Sequence, residues 1–212
     1  MASNRFGSSP LLRLDFEASR LEARELGRVG FDPELAAVRK SSTLAALAQQ
    51  GNLPLALARL VRLWAHARAL DGQRRGYPSG FAWCLMAVFF CQVRHQVPPL
   101  SVPSSDQAPV MVTDDDLKQA AQWLPSFFDF YGAIFRWDQE VVSTRLGRRA
   151  FKQGRLSGLC IEDPLEPDTD LAAAYLSPAR DCRLRAELRR ARRLLAGAPR
   201  SDGWVAAFRS RR

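Results

Sequence analysis

Ser79 to Val93 reads SGFAWCLMAVFFCQV, a stretch with almost no polar side chain on any face. A helix that is hydrophobic all round has to be covered on every side, so this segment predicts a central buried helix with other elements packed around it. Its longest apolar run, Phe81 to Cys91, ends near Arg94 and is far too short to span a bilayer. The cover must therefore come from the chain itself. At 212 residues and 47% hydrophobic, the chain has enough material for one substantial core.

Helical periodicity supplies that cover. Leu53 to Leu70 places Leu57, Leu60, Val61, Trp64 and Ala65 on one stripe, with arginines beside it. Gly72, Gly76 and Gly80 punctuate the chain before the buried run. Pro98, Pro99, Pro103 and Pro109 predict an exposed loop over about 97–112. Thr113 should cap a helix whose first turn carries Asp114, Asp115 and Asp116, which suits the positive end of the dipole. That helix is expected to run through Trp123, Phe127, Phe128, Phe130 and Tyr131 to about Trp137, with Pro125 bending it. Glu140 to Thr144 alternates like a short strand, and Gly147 turns it into a hairpin. Pro178 opens a last, arginine-rich helix that Gly197 and Pro199 stop. Two further helical patterns fall in 17–50. The expected fold class is mainly α: a helical bundle of six to seven helices with a small β-hairpin.

Thirty-one Lys and Arg against 22 Asp and Glu give a net charge of +9, which favours a polyanionic partner such as RNA or a nucleotide. An arginine-rich surface without such a partner is the plainer alternative. The 4 cysteines lack C-x-x-C spacing, so neither a zinc site nor a disulfide framework is suggested, and buried thiols in a reducing compartment are expected. The first residues show no signal-peptide pattern, and Asp15, Glu17, Glu22 and Glu25 argue against a transit peptide. The expectation is an intracellular protein with no membrane association, its compartment undetermined.

Four blocks then stand in order: Phe6-Gly7-Ser8-Ser9-Pro10-Leu11-Leu12-Arg13; Leu60-Val61-Arg62-Leu63-Trp64-Ala65-His66-Ala67-Arg68; Gly76-Tyr77-Pro78-Ser79-Gly80-Phe81-Ala82; and a long string from Phe127 through Gly147 to Cys160-Ile161-Glu162-Asp163-Pro164. Together they resemble the terminal RNA nucleotidyltransferases, the template-independent poly(A) and poly(U) polymerases, in their poly(A)-polymerase-associated domain. The resemblance covers about two-thirds of the chain. It implies nucleotide contacts from Ser8 and Ser9 at the ribose, Arg62 and His66 at the triphosphate, Phe81 stacked on the base, and Asp163 at the base-recognition edge. It implies UTP or ATP and an RNA 3′ end as partners.

Each position has a plainer reading. Ser8 and Ser9 suit a helix cap. Arg62 suits a solvated face, His66 a structural role, Phe81 the core, and Glu162 with Asp163 an acidic turn. The sequence also departs from the family pattern. His66 stands where a second lysine is usual, Gly80 replaces a phosphate-contacting serine, and Phe81 replaces a tyrosine. Asp170-Leu171-Ala172-Ala173 keeps the family's small residues but lacks the arginine that often follows, and 17–50 lengthens the link between the first two blocks.

Nucleotidyl transfer needs two metal ions held by carboxylates. The family carries them on a Gly-Ser…Asp-x-Asp motif in a separate domain, and this sequence has no such motif. Asp114-Asp115-Asp116 and Asp168-x-Asp170 follow neither a strand nor a Gly-Ser turn and read as a helix cap and an acidic loop. The implied arrangement is a nucleotide- and RNA-contacting domain over 1–197, with a helical insert at about 17–50 and a basic tail at 198–212. Mg²⁺ or Mn²⁺ would be held by a missing catalytic domain, so the chain alone is expected to be inactive. The alternative is a degenerate, non-catalytic RNA-binding or scaffold subunit.

Overall fold

Gly51, at φ +96°, starts the first described helix, α1 (Asn52–Ala67), in a conformation that suits a residue without Cβ. The computed structural model describes residues 46–47, 50–100, 112–152, 158–173, 177–197 and 206–209, all within one unit, Thr43–Arg212. Ser8, Ser9, nearly all of the 17–50 insert and residues 101–111 of the predicted proline-rich loop lie outside the described residues. The mainly helical class with one small two-stranded sheet is as expected from the sequence.

On α1 the residues Leu57, Val61, Trp64 and Ala65 are fully buried, the stripe that the spacing predicted. The helix ends one turn earlier than its periodicity allowed, because Ala69 takes a positive φ of 53° and Leu70 N–H donates back to Ala65 O at 2.9 Å. The next helix, α2 (Gly80–His95), is capped by Ser79, whose Oγ accepts from Ala82 N at 3.2 Å. Leu85 to Cys91 is buried without a break, so α2 is the central helix. Its polar residue Gln92 is held from inside the fold, donating to Pro98 O and Thr144 O, each at 3.0 Å. Trp83 Nε1 donates to Leu70 O at 3.0 Å and thereby fixes the exit of α1 against α2.

The single helix expected from 113 to about 137 is three pieces. The first, α3 (Asp114–Ala121), has a full capping box, with Thr113 and Asp116 each satisfying the other's backbone N–H. Pro125 in the first turn of α4 (Leu124–Asp129) cannot donate to the preceding turn, so the chain restarts there. A π-turn over Phe130–Ile134 follows and ends with Phe135 N–H on Phe130 O at 2.7 Å. The wider turn lets Phe127, Phe128, Phe130 and Tyr131 all reach the core, where each is at most 1% exposed. Tyr131 OH donates to Met86 O at 2.8 Å, so the phenol is both packed and satisfied.

The predicted hairpin is present as β1 (Glu140–Val141) and β2 (Ala150–Phe151), antiparallel with Glu140 opposite Phe151. Glu140 is buried and forked by Arg149, with Nε at 2.5 Å and Nη2 at 2.7 Å, and it also accepts from Arg136 N at 2.7 Å. Burial alone would raise its carboxyl, but the hydrogen bonds from Arg149 and Arg136 outweigh it and hold Glu140 below the usual carboxylate range. A carboxyl lowered in the folded state stabilises the fold above the unfolded carboxylate range, and that contribution disappears as pH falls through the lowered value. Glu140→Gln should therefore cost stability at pH 7 yet reduce the further loss on acidification. Urea unfolding at several acidic pH values checks this, and an unaltered acid slope would contradict it.

The last helix, α5 (Pro178–Gly197), lays Leu184, Leu188 and Ala191 into the core against α4 and the π-turn. Beyond it, a helical turn at 206–208 docks through buried Ala207, with Phe208 packed on the core.

Candidate functional site

Arg62 sits on α1 two residues before the buried Trp64 and lies on a half-buried side of the helix. Its guanidinium reaches the start of α2. A Cβ built on Gly80 would lie 3.0 Å from Arg62 Nε and 3.1 Å from Nη2. The fold thus presses the second and third sequence blocks together, 18 residues apart in the chain, into one corner of Arg62, Ser79, Gly80 and Phe81. Gly80 makes the approach possible, since a bulkier residue would have to move the guanidinium. Phe81 is half-buried and packs on the core, so its ring is part of the wall at this corner. The first turn of α2 carries no acidic residue, and its leading N–H groups have no intrahelical acceptor.

His66, one turn along α1 from Arg62, is exposed and paired through Nδ1 with Asp71 Oδ2 at 2.9 Å. Asp71 is also 3.6 Å from Arg75 Nη1. Sequence reasoning did not find this pairing, because Asp71 lies beyond the helix end, where helical spacing no longer predicts contacts.

The acidic turn is a different piece of scaffold. Val142 forms a parallel bridge with Ile161, and Glu162 an antiparallel one with Asp170. Glu162 turns inward: it accepts from Ser143 Oγ at 3.0 Å and from Arg145 Nε at 2.8 Å, and is 8% exposed. Asp170 Oδ1 accepts from Ile161 N at 2.9 Å and Ala172 N at 2.8 Å. Asp163 is half-exposed, and its Oδ1 accepts from Leu165 N at 2.9 Å in a tight local turn. Glu162 and Asp170 therefore hold the turn together, while Asp163 stands at its surface.

The thiols offer no nucleophile in this region. Burial pushes Cys160 up to about 12, with Asp170 adding to the rise, and burial alone pushes Cys91 to about 12. All four cysteines are free, and Cys182 is exposed on α5 rather than buried. Among the described residues no group of three or more His, Cys, Asp or Glu could hold a metal ion. Asp116 is spent on the Thr113 cap and on Asn52 Nδ2 at 3.1 Å, and Asp115 pairs with Lys118 at 2.8 Å. Neither acidic cluster fits a two-metal site. Among the same residues, no helix is long and apolar enough to cross a membrane.

The fold brings together a buried central helix, an arginine at its start and a hairpin that leads to an acidic turn. Residues 121–169 match the family described as Cid1 family poly A polymerase. The same fold occurs in mtPAP in complex with UTP, with a TM-score of 0.66 and 19% identity over 82% of this chain and 43% of that chain. It occurs in terminal uridylyl transferase 4 from Trypanosoma brucei with bound GTP, at TM-score 0.60 and 22% identity over 74% of this chain and 55% of that one. RNA editing TUTase 1 from Trypanosoma brucei aligns at TM-score 0.61 and 20% identity, over 82% of this chain and 40% of that one. Caffeine-induced protein 16 of Schizosaccharomyces pombe is 32% identical over 71 residues, 32% of this chain and 6% of that protein. Residues 121–169 thus match that family model, and the chain shares the fold of these solved structures. It spans 55% or less of the length of each of these relatives.

Proposed function

We propose that this chain is the nucleotide- and RNA-contacting part of a template-independent RNA 3′-terminal nucleotidyltransferase, adding uridylates or adenylates. The observation that supports it is the Arg62 guanidinium pressed against Gly80 at the start of α2. A guanidinium and outward-pointing N–H groups converging on one spot suit phosphate oxygens, and each charge-assisted hydrogen bond contributes about 1.5–3 kcal/mol. Phe81 would offer a stacking face worth roughly 1–3 kcal/mol per base, and Asp163 a half-exposed carboxylate for the base edge. Ser8 and Ser9 keep their proposed ribose contacts from the sequence pattern.

In this reading Mg²⁺ or Mn²⁺ would be held by carboxylates of a separate catalytic domain, not by this chain, and would supply stabilisation of the attacking and leaving oxygens. This chain's part is to bind and orient the triphosphate and the RNA 3′ end. The purified chain should bind UTP or ATP and fail to extend an RNA primer. Arg62→Ala should weaken triphosphate binding about tenfold. Primer extension by the chain itself would overturn the expected dependence on a catalytic domain, and undetectable nucleotide binding would overturn the reading.

A second reading, a non-catalytic RNA-binding or scaffold subunit, is favoured by the engagement of His66 with Asp71 and the missing hydroxyl at Gly80. It is the reading that undetectable nucleotide binding, with RNA binding retained, would support.

A further inference from the structure

Phe151 on β2 is 71% exposed, the most exposed large hydrophobic side chain among the described residues. A lone apolar ring at the surface is common and by itself means nothing. This one borders a cavity of about 260 Å³, lined with it by Arg136, Glu140, Arg149 and Ala150. The hairpin register explains the grouping. Glu140 stands opposite Phe151, and directly opposed residues of an antiparallel pair project to the same face. Arg149, two positions before Phe151, shares that face because side chains alternate along a strand.

The Arg149 guanidinium is held in place. Nε and Nη2 fork the Glu140 carboxylate at 2.5 and 2.7 Å, and Nη2 also donates to Ile134 O at 3.3 Å. An exposed ring therefore stands beside a fixed guanidinium plane. Unstacked bases of single-stranded nucleic acid lie on such aromatic and guanidinium surfaces, while neighbouring cations track the phosphates. Ligand cavities commonly measure about 300–1,000 Å³, so this smaller one admits a planar ring and not a whole nucleotide.

Two other occupants suit the site less well. β2 is only two residues long, Ala150–Phe151, too short an edge to template an added peptide strand. A second copy of the chain would bring like charges together, since residues 136–152 carry 5 Lys and Arg against 2 acids. Both acids are engaged, Glu140 by Arg149 and Asp138 by Arg185 at 2.9 Å. Arg145 is likewise engaged, by Glu162, whereas Arg136 lies exposed at the cavity rim. The balance of charge favours a polyanion.

We infer that this face of the hairpin grips single-stranded RNA, one base stacking on the Phe151 ring at the cavity and Arg136 meeting the adjoining phosphate. The inference rests on the RNA-contacting reading above and adds to it the place where the strand is held, on residues outside those proposed for the nucleotide. Stacking uses the face of a base and not its edge, so the grip tolerates sequence.

Fluorescence anisotropy of labelled single-stranded oligouridylate and oligoadenylate, titrated with the full chain at several salt concentrations, tests this alongside UTP binding. Phe151→Ala should weaken both oligonucleotides about fivefold or more and leave UTP affinity within about twofold. Phe151→Trp keeps a stacking face and should hold the wild-type affinity. Phe151→Leu, apolar but without that face, should lose as much as Phe151→Ala. Arg136→Ala should reduce the slope of log affinity against log salt by about 0.7, the share of one single-strand phosphate. Because Phe151 is largely exposed, all three of its variants should unfold in urea close to wild type, which separates lost binding from lost folding. Leucine serving as well as phenylalanine would make the ring a plain apolar contact, as for a polypeptide, and overturn the inference. So would an equal fall in UTP affinity, or self-association that depends on Phe151 with RNA affinity unchanged. RNA binding indifferent to every Phe151 variant sinks this inference alone. A wild-type chain that binds no RNA sinks the RNA-contacting reading with it.

Discussion

Arg68→Met should lower the stability of the domain by about 3–5 kcal/mol, among the largest effects any single surface-type residue here can produce. Arg68 follows α1 and would pass in a sequence for a solvated cation, yet only 4% of it is exposed. Its Nε and Nη2 both donate to Glu187 Oε2 on α5, at 3.1 and 2.9 Å, and Glu187 is itself 4% exposed. Nη1 donates to the Arg209 carbonyl, so one guanidinium holds the end of α1, the middle of α5 and the docked C-terminal turn. Removing it takes two guanidinium hydrogen bonds from the buried Glu187 carboxylate, which also lies 3.9 Å from Arg190 Nη1. The cost is that of a buried carboxylate deprived of its guanidinium, not the modest net contribution of the intact pair. Arg68→Met combined with Glu187→Leu should accordingly recover most of the loss. Urea unfolding of the two variants, read as a double-mutant cycle, checks both statements. A single variant within about 1 kcal/mol of wild type would show that Glu187 finds solvent or another partner once Arg68 is gone.

That pair shows where the sequence stops being readable. Periodicity carries the identity of buried faces, so the burial of α2, the Leu57–Val61–Trp64 stripe and the run of aromatics from Phe127 were all legible. Local chemistry carries caps and turns, so the Thr113 box and the hairpin around Gly147 were legible too. Neither signal reports a contact across 119 residues, which is what joins Arg68 to Glu187. The same limit governs the candidate site. The order of the four blocks put Arg62 and Phe81 in the same hypothesis. Only the fold shows that Arg62 reaches Gly80 and that His66 is occupied by Asp71. The three-piece helix was missed for a different reason. A proline predicts a bend, but whether the chain continues as an α-turn or widens to a π-turn depends on how many bulky rings must face one core. Glu162 and Asp163 illustrate a further gap: adjacent acids read alike in sequence, whereas the fold turns one inward onto Ser143 and Arg145 and leaves the other at the surface.

Trp64→Ala should cost about 3–5 kcal/mol, and Trp64→Phe distinctly less than its loss of volume suggests. Trp64 is fully buried, with its ring 5.7 Å from Trp83 edge-on and 4.7 Å from Phe128, so it is the contact through which α1 grips both α2 and α4. Truncation to alanine leaves a cavity bounded by rings that cannot collapse into it, which places the cost at the upper end for large-to-small changes. The indole Nε1, however, has no hydrogen-bond partner among the described residues in its buried position. Replacing the indole by phenyl removes a donor whose burial costs about 1–3 kcal/mol, and that gain offsets part of the lost packing. Because Trp64 lies between Arg62 and His66 on α1, the two substitutions should also separate stability from site geometry. Trp64→Phe should keep Arg62 against Gly80 and leave nucleotide affinity within about twofold, while Trp64→Ala frees α1 to shift and weakens binding along with stability. Equal destabilisation by phenylalanine and alanine, measured by chemical unfolding, would mean that Nε1 is satisfied in solution and that the offset does not exist.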